Sequence, residues 1–404
     1  MIKTILGSTL SLLCVASLHA QSAPGQSPAA PVKPGSPPIA PAPASAAVVP
    51  GATAIAKNPP PLDPKNIDTS VQPQDDFYKF ANGNWLKNNP IPPEYSRWGS
   101  FNELIEKNND TLHVIAENAA KATADTAKPD PKKAVAPEVQ MVGDFYASGM
   151  NEEQINSARL LPLKGELKQI DAISDLASLS AEIGHFHSLG LGALFDFTSG
   201  QDDKQSTMVI AQAFQGGLGL PDRDYYTKND DASKKLREQY VAHVTKMFSL
   251  LGDKPDVAAA AAQTVMKIET ALAKPARTRV ELRDPQKNYN KMSEAGLQKL
   301  TPDFKWHDYF QVVGLPVPGA INVGQPDFFE GANDVFKNVS IDDWKTYLRW
   351  HLIHSTAPTL GRDFVDENFA FFGKTLSGTE KLKPRWKRVV SVIDNEIGEA
   401  LGKL

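Results

Sequence analysis

The 404 residues carry 43 lysines and arginines against 47 acidic residues, a formal net charge of −4. A balance this mild excludes a nucleic-acid partner, which requires a clustered basic excess. Cys14 is the single cysteine, so a disulfide framework and a Cys-ligated metal are excluded as well.

The chain opens on Lys3, an apolar run from Ile5 to Leu18, and the small residue Ala20. This pattern predicts a secretory signal over residues 1–20 and an exported product, periplasmic or secreted. The run is shorter than the roughly 20 apolar residues of a membrane span. No later segment reaches that length, so the mature chain is expected to have no stable membrane span. Residues 21–64 are proline, alanine, serine and glycine with almost no large apolar side chains. Such a segment cannot offset its ordering entropy and reads as a semi-extended, disordered tether.

Beyond the tether the pattern is mostly helical. Phe77, Phe80, Ala81 and Trp85 share one face of a short helix, with Asp75 and Asp76 at its positive end. Phe101, Leu104, Ile105, Leu112 and Ile115 define a longer helix, and Val142, Phe145 and Tyr146 mark the next. Asn151 caps another, and Ser174-Asp175 opens one bearing Leu176, Leu179, Ile183 and Phe186. Leu191–Thr198 and Thr207–Gln212 read as two strands joined by a polar turn.

Helices then resume. Leu236, Tyr240, Val244, Met247 and Leu251 form one stripe, ended by Gly252. Val257, Ala261, Val265, Ile268 and Leu272 form the next. Ser340 with Asp343 three positions on starts a helix with Trp344, Tyr347, Leu348 and Leu352. A last helix begins near Arg385 with Trp386, Val390, Ile393, Ile397 and Leu401 on one side. Its stripe still runs at Leu404, which predicts a bare apolar face and a chain that stops short of a domain end. The fold class is mainly α, with one small hairpin.

Motifs of chemistry are few. None of the eight histidines sits in H-E-x-x-H, the spacing that puts two imidazoles and a glutamate base on one helix face. His351 and His354 share a face, but Leu352 and Ile353 stand between them, so a structural role is favoured. His185 and His187 are two apart and point away from each other. Gly216-Gly217-Leu218-Gly219 is followed by Pro221 rather than a phosphate-binding helix, and reads as a tight structured loop. Asp222, Arg223 and Asp224 read as a local ion network holding that loop. The residues by themselves thus assign no catalytic group and no metal ligand.

Several segments, in order, resemble the neprilysin and endothelin-converting-enzyme family of zinc metalloendopeptidases in its bacterial form. They are QPQDDFYKFANGNWLKNNPIP from Gln72, SRWGSFNEL from Ser96, VGDFYASGMNEEQI from Val142, FQGGLGLPDRDYY from Phe214 and WKTYLRWHLI from Trp344. The stretch from Phe371 resembles the family's approach to its catalytic half. The resemblance implies that residues 65–105 pack with a thermolysin-like catalytic domain. Residues 106–345 would build a multi-helical outer domain that caps the substrate cavity, and residues 346–404 would return toward the catalytic side. The family's zinc ligands and general base lie outside this sequence, so zinc is implied for the full-length enzyme and not for this chain.

One family substrate-binding feature does fall inside. The arginine of the S-R-aromatic segment, a polar residue five positions on and an arginine eight positions on correspond here to Arg97, Asn102 and Ile105. Arg97 matches the pattern, Asn102 departs mildly and Ile105 outright. A guanidinium suits a peptide carboxylate or carbonyl because it donates in a rigid fork. The implied role is the N-terminal, substrate-capping half of a peptide-cleaving enzyme, inactive alone and possessing either a continuation or a separate catalytic partner. The alternative is a non-catalytic periplasmic binding or interaction module.

Overall fold

The computed structural model describes residues 63–124 and 135–404. The predicted signal (1–20) and all but the last two residues of the predicted tether (21–64) lie outside the described residues. Asp63 and Pro64 already belong to a 3-10 turn, in which the Asp63 carboxylate accepts the Lys65 amide at 3.0 Å. The described chain falls into two compact units that divide after Pro92.

In the first unit, α1 (Phe77–Asn88) starts where expected, and the Asp76 side chain caps it by accepting the Lys79 amide at 2.9 Å. Asp68 is buried against it, bonded to Lys87 Nζ at 2.7 Å and to the Ser70 amide at 3.1 Å. These partners, Lys87 first, hold the Asp68 carboxyl down at about 2. Gly83 makes this approach possible, because a Cβ there would stand 2.6 Å from the Asp68 Cβ.

The second unit has two hydrophobic clusters. The smaller joins α2 (Ser100–Ala124), α3 (Pro137–Met150) and α15 (Arg385–Gly402) through Ala116, Ala119, Val142, Tyr146, Val390, Ile393 and Leu401. The expectation of a bare apolar face on the last helix is therefore corrected: that face is covered by α2 and α3. Ile397 departs from helical geometry, and the resulting kink lets Leu401 remain on the buried side.

The larger cluster holds α4 (Glu152–Ala158), α5 (Lys164–Asp171), α6 (Leu176–Ser188), α7 (Asp224–Thr227), α8 (Asp231–Leu251) and α9 (Pro255–Ala273) around or beside it. Its other members are α10 (Glu294–Leu300), α11 (Trp306–Val312), α12 (Pro326–Asn338), α13 (Ile341–Thr356) and α14 (Arg362–Asn368), which continues into a π-helix at Phe369–Leu376. The expected caps are present. Asn151, Asp175 and Ser340 accept amides of residues Gln154, Ser178 and Asp343, and Gly252 ends α8 at φ 106°. Only glycine enters that region without strain. The stripe of α9 differs from expectation at one end. Val257 is exposed, and Ala258 and Ala262 join the expected Ala261 at the core, where their small side chains permit close approach of α8.

The hairpin is real but longer. β1 (Phe195–Asp202) and β2 (Gln205–Gln215) pair antiparallel, so the strands run through the polar residues that were read as turn. Most of those side chains face water, while the buried Asp202 ties the tip down. Its carboxylate accepts from Lys291 at 2.5 Å, Tyr289 at 2.8 Å and the Lys204 amide at 3.0 Å. The sheet also gains β4 (Ala320–Val323), parallel to β2, and β3 (Lys291–Ser293), antiparallel to β4, in the order β1-β2-β4-β3.

Candidate functional site

Arg97 lies in the loop before α2, and Asn102 lies in the first turn of that helix. The Gly99 carbonyl accepts the amides of Asn102 and Glu103 at 2.9 and 3.1 Å, so the loop closes onto the helix start. Three further ties fix the loop. Tyr95 donates its hydroxyl to one oxygen of Glu106, and Lys387 donates to the other. The Pro93 carbonyl accepts the amides of Glu380 and Lys381 at 3.1 and 2.8 Å. Tyr95 packs edge-on to Trp98 at 4.9 Å, with Lys383 Nζ 4.5 Å from its ring centre.

The charges in this anchor are compensated. Burial disfavours an ionised Glu106, but the hydrogen bonds from Lys387 and Tyr95 win and hold its carboxyl below the usual range. Burial, then the bond to Glu106, pushes the Tyr95 phenol up. Arg97 itself is exposed and makes no ion pair or hydrogen bond among the described residues. Phe101, Leu104 and Ile105 follow at helical spacing and are 84%, 54% and 47% exposed. The helix that these residues were read to define is present, and its first turns show an apolar face to solvent. The arrangement offers one unpaired guanidinium on a braced loop, next in sequence to apolar side chains. No second cation stands at Ile105.

The glycine loop was read as a structured turn, and its geometry shows why. Glu269 on α9 is fully buried and receives four donors. They are the Gly219 amide at 3.1 Å, Tyr226 Oη at 2.8 Å, Tyr240 Oη at 2.8 Å and Trp350 Nε1 at 3.1 Å. Tyr226 in turn accepts the Leu220 amide at 2.8 Å. Tyr347 donates to the Gly217 carbonyl at 2.8 Å and accepts the Leu194 amide at 2.9 Å. Burial, then the charge of Glu269, drives the phenols of Tyr226 and Tyr240 far above their ordinary range. A Cβ at Gly219 would lie 2.0 Å from Tyr240 Oη, so only glycine fits. The expected ion network of Asp222, Arg223 and Asp224 is corrected: Asp222 pairs instead with Arg279 at 2.7 Å and Asp224 with Lys228 at 3.0 Å, while the buried Arg223 Nε joins neither pair.

The histidines follow the same structural logic. His351 and His354 are packed in the core among Tyr347, Trp350 and Phe372. Burial, then the neighbouring His351 and His243, lowers His354 to about 3. His187 bonds Tyr309 Oη at 2.8 Å and the Ala193 carbonyl at 3.0 Å, and burial lowers it to about 4. His185 points away from His187 and meets Glu166 at 2.7 Å. No H-E-x-x-H occurs in the sequence, and His351 and His354 join no metal-ligating group of three among the described residues. The residues present therefore do not fit the catalytic zinc of the resembled family, and no chemical step can be assigned to it here.

A sequence profile of peptidase family M13 matches residues 73–404. The chain belongs to peptidase family M13. Within M13 it is similar to endothelin-converting enzyme 1 of Mus musculus, with 29% identity over 358 residues. It is also similar to neprilysin-3 of Drosophila melanogaster, with 30% identity over 363 residues. Each alignment covers 84% of this chain and 44% of the relative. The fold matches the zinc metalloprotease Zmp1 of Mycobacterium tuberculosis solved with an inhibitor, at a TM-score of 0.78 and 33% identity. That match covers 85% of this chain and 51% of the other. PepO of Lactobacillus rhamnosis HN001, 16% identical, shares the fold at a TM-score of 0.65. The chain thus spans about half the length of the M13 relatives it matches, and the neprilysin and endothelin-converting-enzyme resemblance read from its motifs holds.

Two constellations were not read from the sequence. Glu269 sits in a helical apolar stripe at a position that only its buried tyrosine partners explain. Glu166 belongs with Glu182 and His185, but comes from a different helix. The Glu182-x-x-His185 spacing was the one local signal available.

Proposed function

We propose that this chain is the N-terminal, substrate-capping half of an exported zinc metalloendopeptidase, acting in peptide proteolysis. The observation that carries the reading is the M13 match over residues 73–404, in a sequence that spans about half of its relatives and lacks H-E-x-x-H. In this reading zinc and the general base belong to a catalytic half, either a continuation or a separate partner, and the chain alone is inactive. Residues 65–105 and 346–404 face that half, and residues 106–345 form the outer cap. The borders near 105 and 346 lie inside α2 and α13, so the helices carry continuously from one region to the next.

Arg97 is the residue proposed to grip substrate, with Asn102 in the first turn of the helix that follows. The support is a braced loop around a guanidinium that no described residue neutralises. The test is peptide binding by the purified chain. Arg97→Ala should weaken a peptide with a free C-terminal carboxylate about threefold to tenfold, a modest loss for an exposed charge-assisted bond. The same peptide amidated at its C-terminus should lose little. Equal losses for both peptides, or none, would remove Arg97 from substrate recognition.

The second reading is a non-catalytic periplasmic binding module. It draws on one observation: the apolar face of α15 is covered by α2 and α3, which is what a self-sufficient domain needs.

A further inference from the structure

Glu166, Glu182 and His185 each bring one ligand-capable atom within 4.8 Å of the other two. Glu166 comes from α5, and Glu182 and His185 stand one turn apart on α6. Glu182 is only 8% exposed, yet one of its oxygens is buried without a hydrogen-bond partner. Natural interiors rarely leave a carboxylate oxygen so, and an ion or ordered water usually explains the exception. Glu166 and His185 keep 16% and 26% of their side-chain surface exposed, so the cluster is reachable from solvent.

We propose that Glu166, Glu182 and His185 form a structural binding site for one divalent transition-metal ion of the zinc type, separate from any catalytic zinc. Two carboxylates balance the charge of a divalent cation, and an imidazole nitrogen selects late first-row metals over magnesium and calcium, which favour oxygen shells. Three protein ligands leave a fourth position, which water fills from the exposed side. The ion pins α5 to α6 across the turn at residues 172–175. Such a clamp suits a sequence whose one cysteine lies in the predicted signal and which therefore has no disulfide to use.

The test uses the tag-free 404-residue chain, stripped with a chelator and titrated with Zn²⁺ against a chromophoric competitor. One equivalent should bind, and the unfolding temperature should rise with added Zn²⁺. Glu182→Gln and His185→Gln should each weaken binding by at least about tenfold and abolish the temperature rise. His185 is partly exposed, so its variant remains informative if the buried glutamate change disturbs folding, which far-UV circular dichroism checks. Absence of a stoichiometric site, or binding unchanged in both variants, would overturn the proposal. Displacement of Zn²⁺ by equimolar Mg²⁺ or Ca²⁺ would overturn the assigned metal class.

Discussion

Glu269 shows how much a single buried carboxylate can organise. Its four donors come from the glycine loop, α7, α8 and α13, so one side chain joins the most family-specific motif to three helices. Glu269→Ala would strand all four donors in a water-free interior. We expect a loss of about 3–5 kcal/mol in urea unfolding. A loss below about 1 kcal/mol would mean that the network is not the anchor described. Two half-buried histidines make a second residue-scale prediction, in pH. His187 and His354 have folded values of about 4 and 3, below the 6.5 of the unfolded chain. Their contribution is complete above 6.5 and is lost as pH falls, because below that value only the unfolded chain takes up the protons. Stability should drop about 2 kcal/mol between pH 6 and pH 5 for the pair. His354→Phe should roughly halve that slope, read from urea midpoints across the window; an unchanged slope would contradict it.

At the scale of elements, the loop bearing Arg97 depends on Glu106 of α2, which is gripped by Tyr95 and Lys387. Glu106→Ala should free the loop, with a cost of about 1–3 kcal/mol for the partners left unpaired. The amides of Glu380 and Lys381, bonded to the Pro93 carbonyl, should then exchange hydrogen faster, and unchanged exchange would contradict the bracing role. Helix positions and caps were legible in the sequence because Asp76, Asn151, Asp175, Ser340 and Gly252 act within one turn of themselves. The strands β3 and β4 were not, since segments of three and four residues gain their identity only by pairing across the chain. Arg97 and Asn102 are singled out by family resemblance alone, and their role in substrate binding is a proposal. The bracing of their loop was not legible, because Glu106 and Lys387 are 281 residues apart. The exposed Phe101, Leu104 and Ile105 defeat simple periodicity for a related reason: spacing marks an apolar face but does not say what covers it.

At the scale of the molecule, the second unit closes two hydrophobic clusters, one through α2, α3 and α15 and one around the sheet and α9. Among the described residues no helix is long and apolar enough to cross a membrane. The proposed capping role draws on a folded helical scaffold with a presented arginine and no H-E-x-x-H in the sequence. The most direct test is to incubate the purified chain, supplemented with Zn²⁺, with a fluorogenic peptide library. We predict no cleavage above the protein-free control, even when the chain is folded and zinc is bound. Turnover that copurifies with the chain and is abolished by a chelator would contradict the proposal that catalysis lies outside these residues.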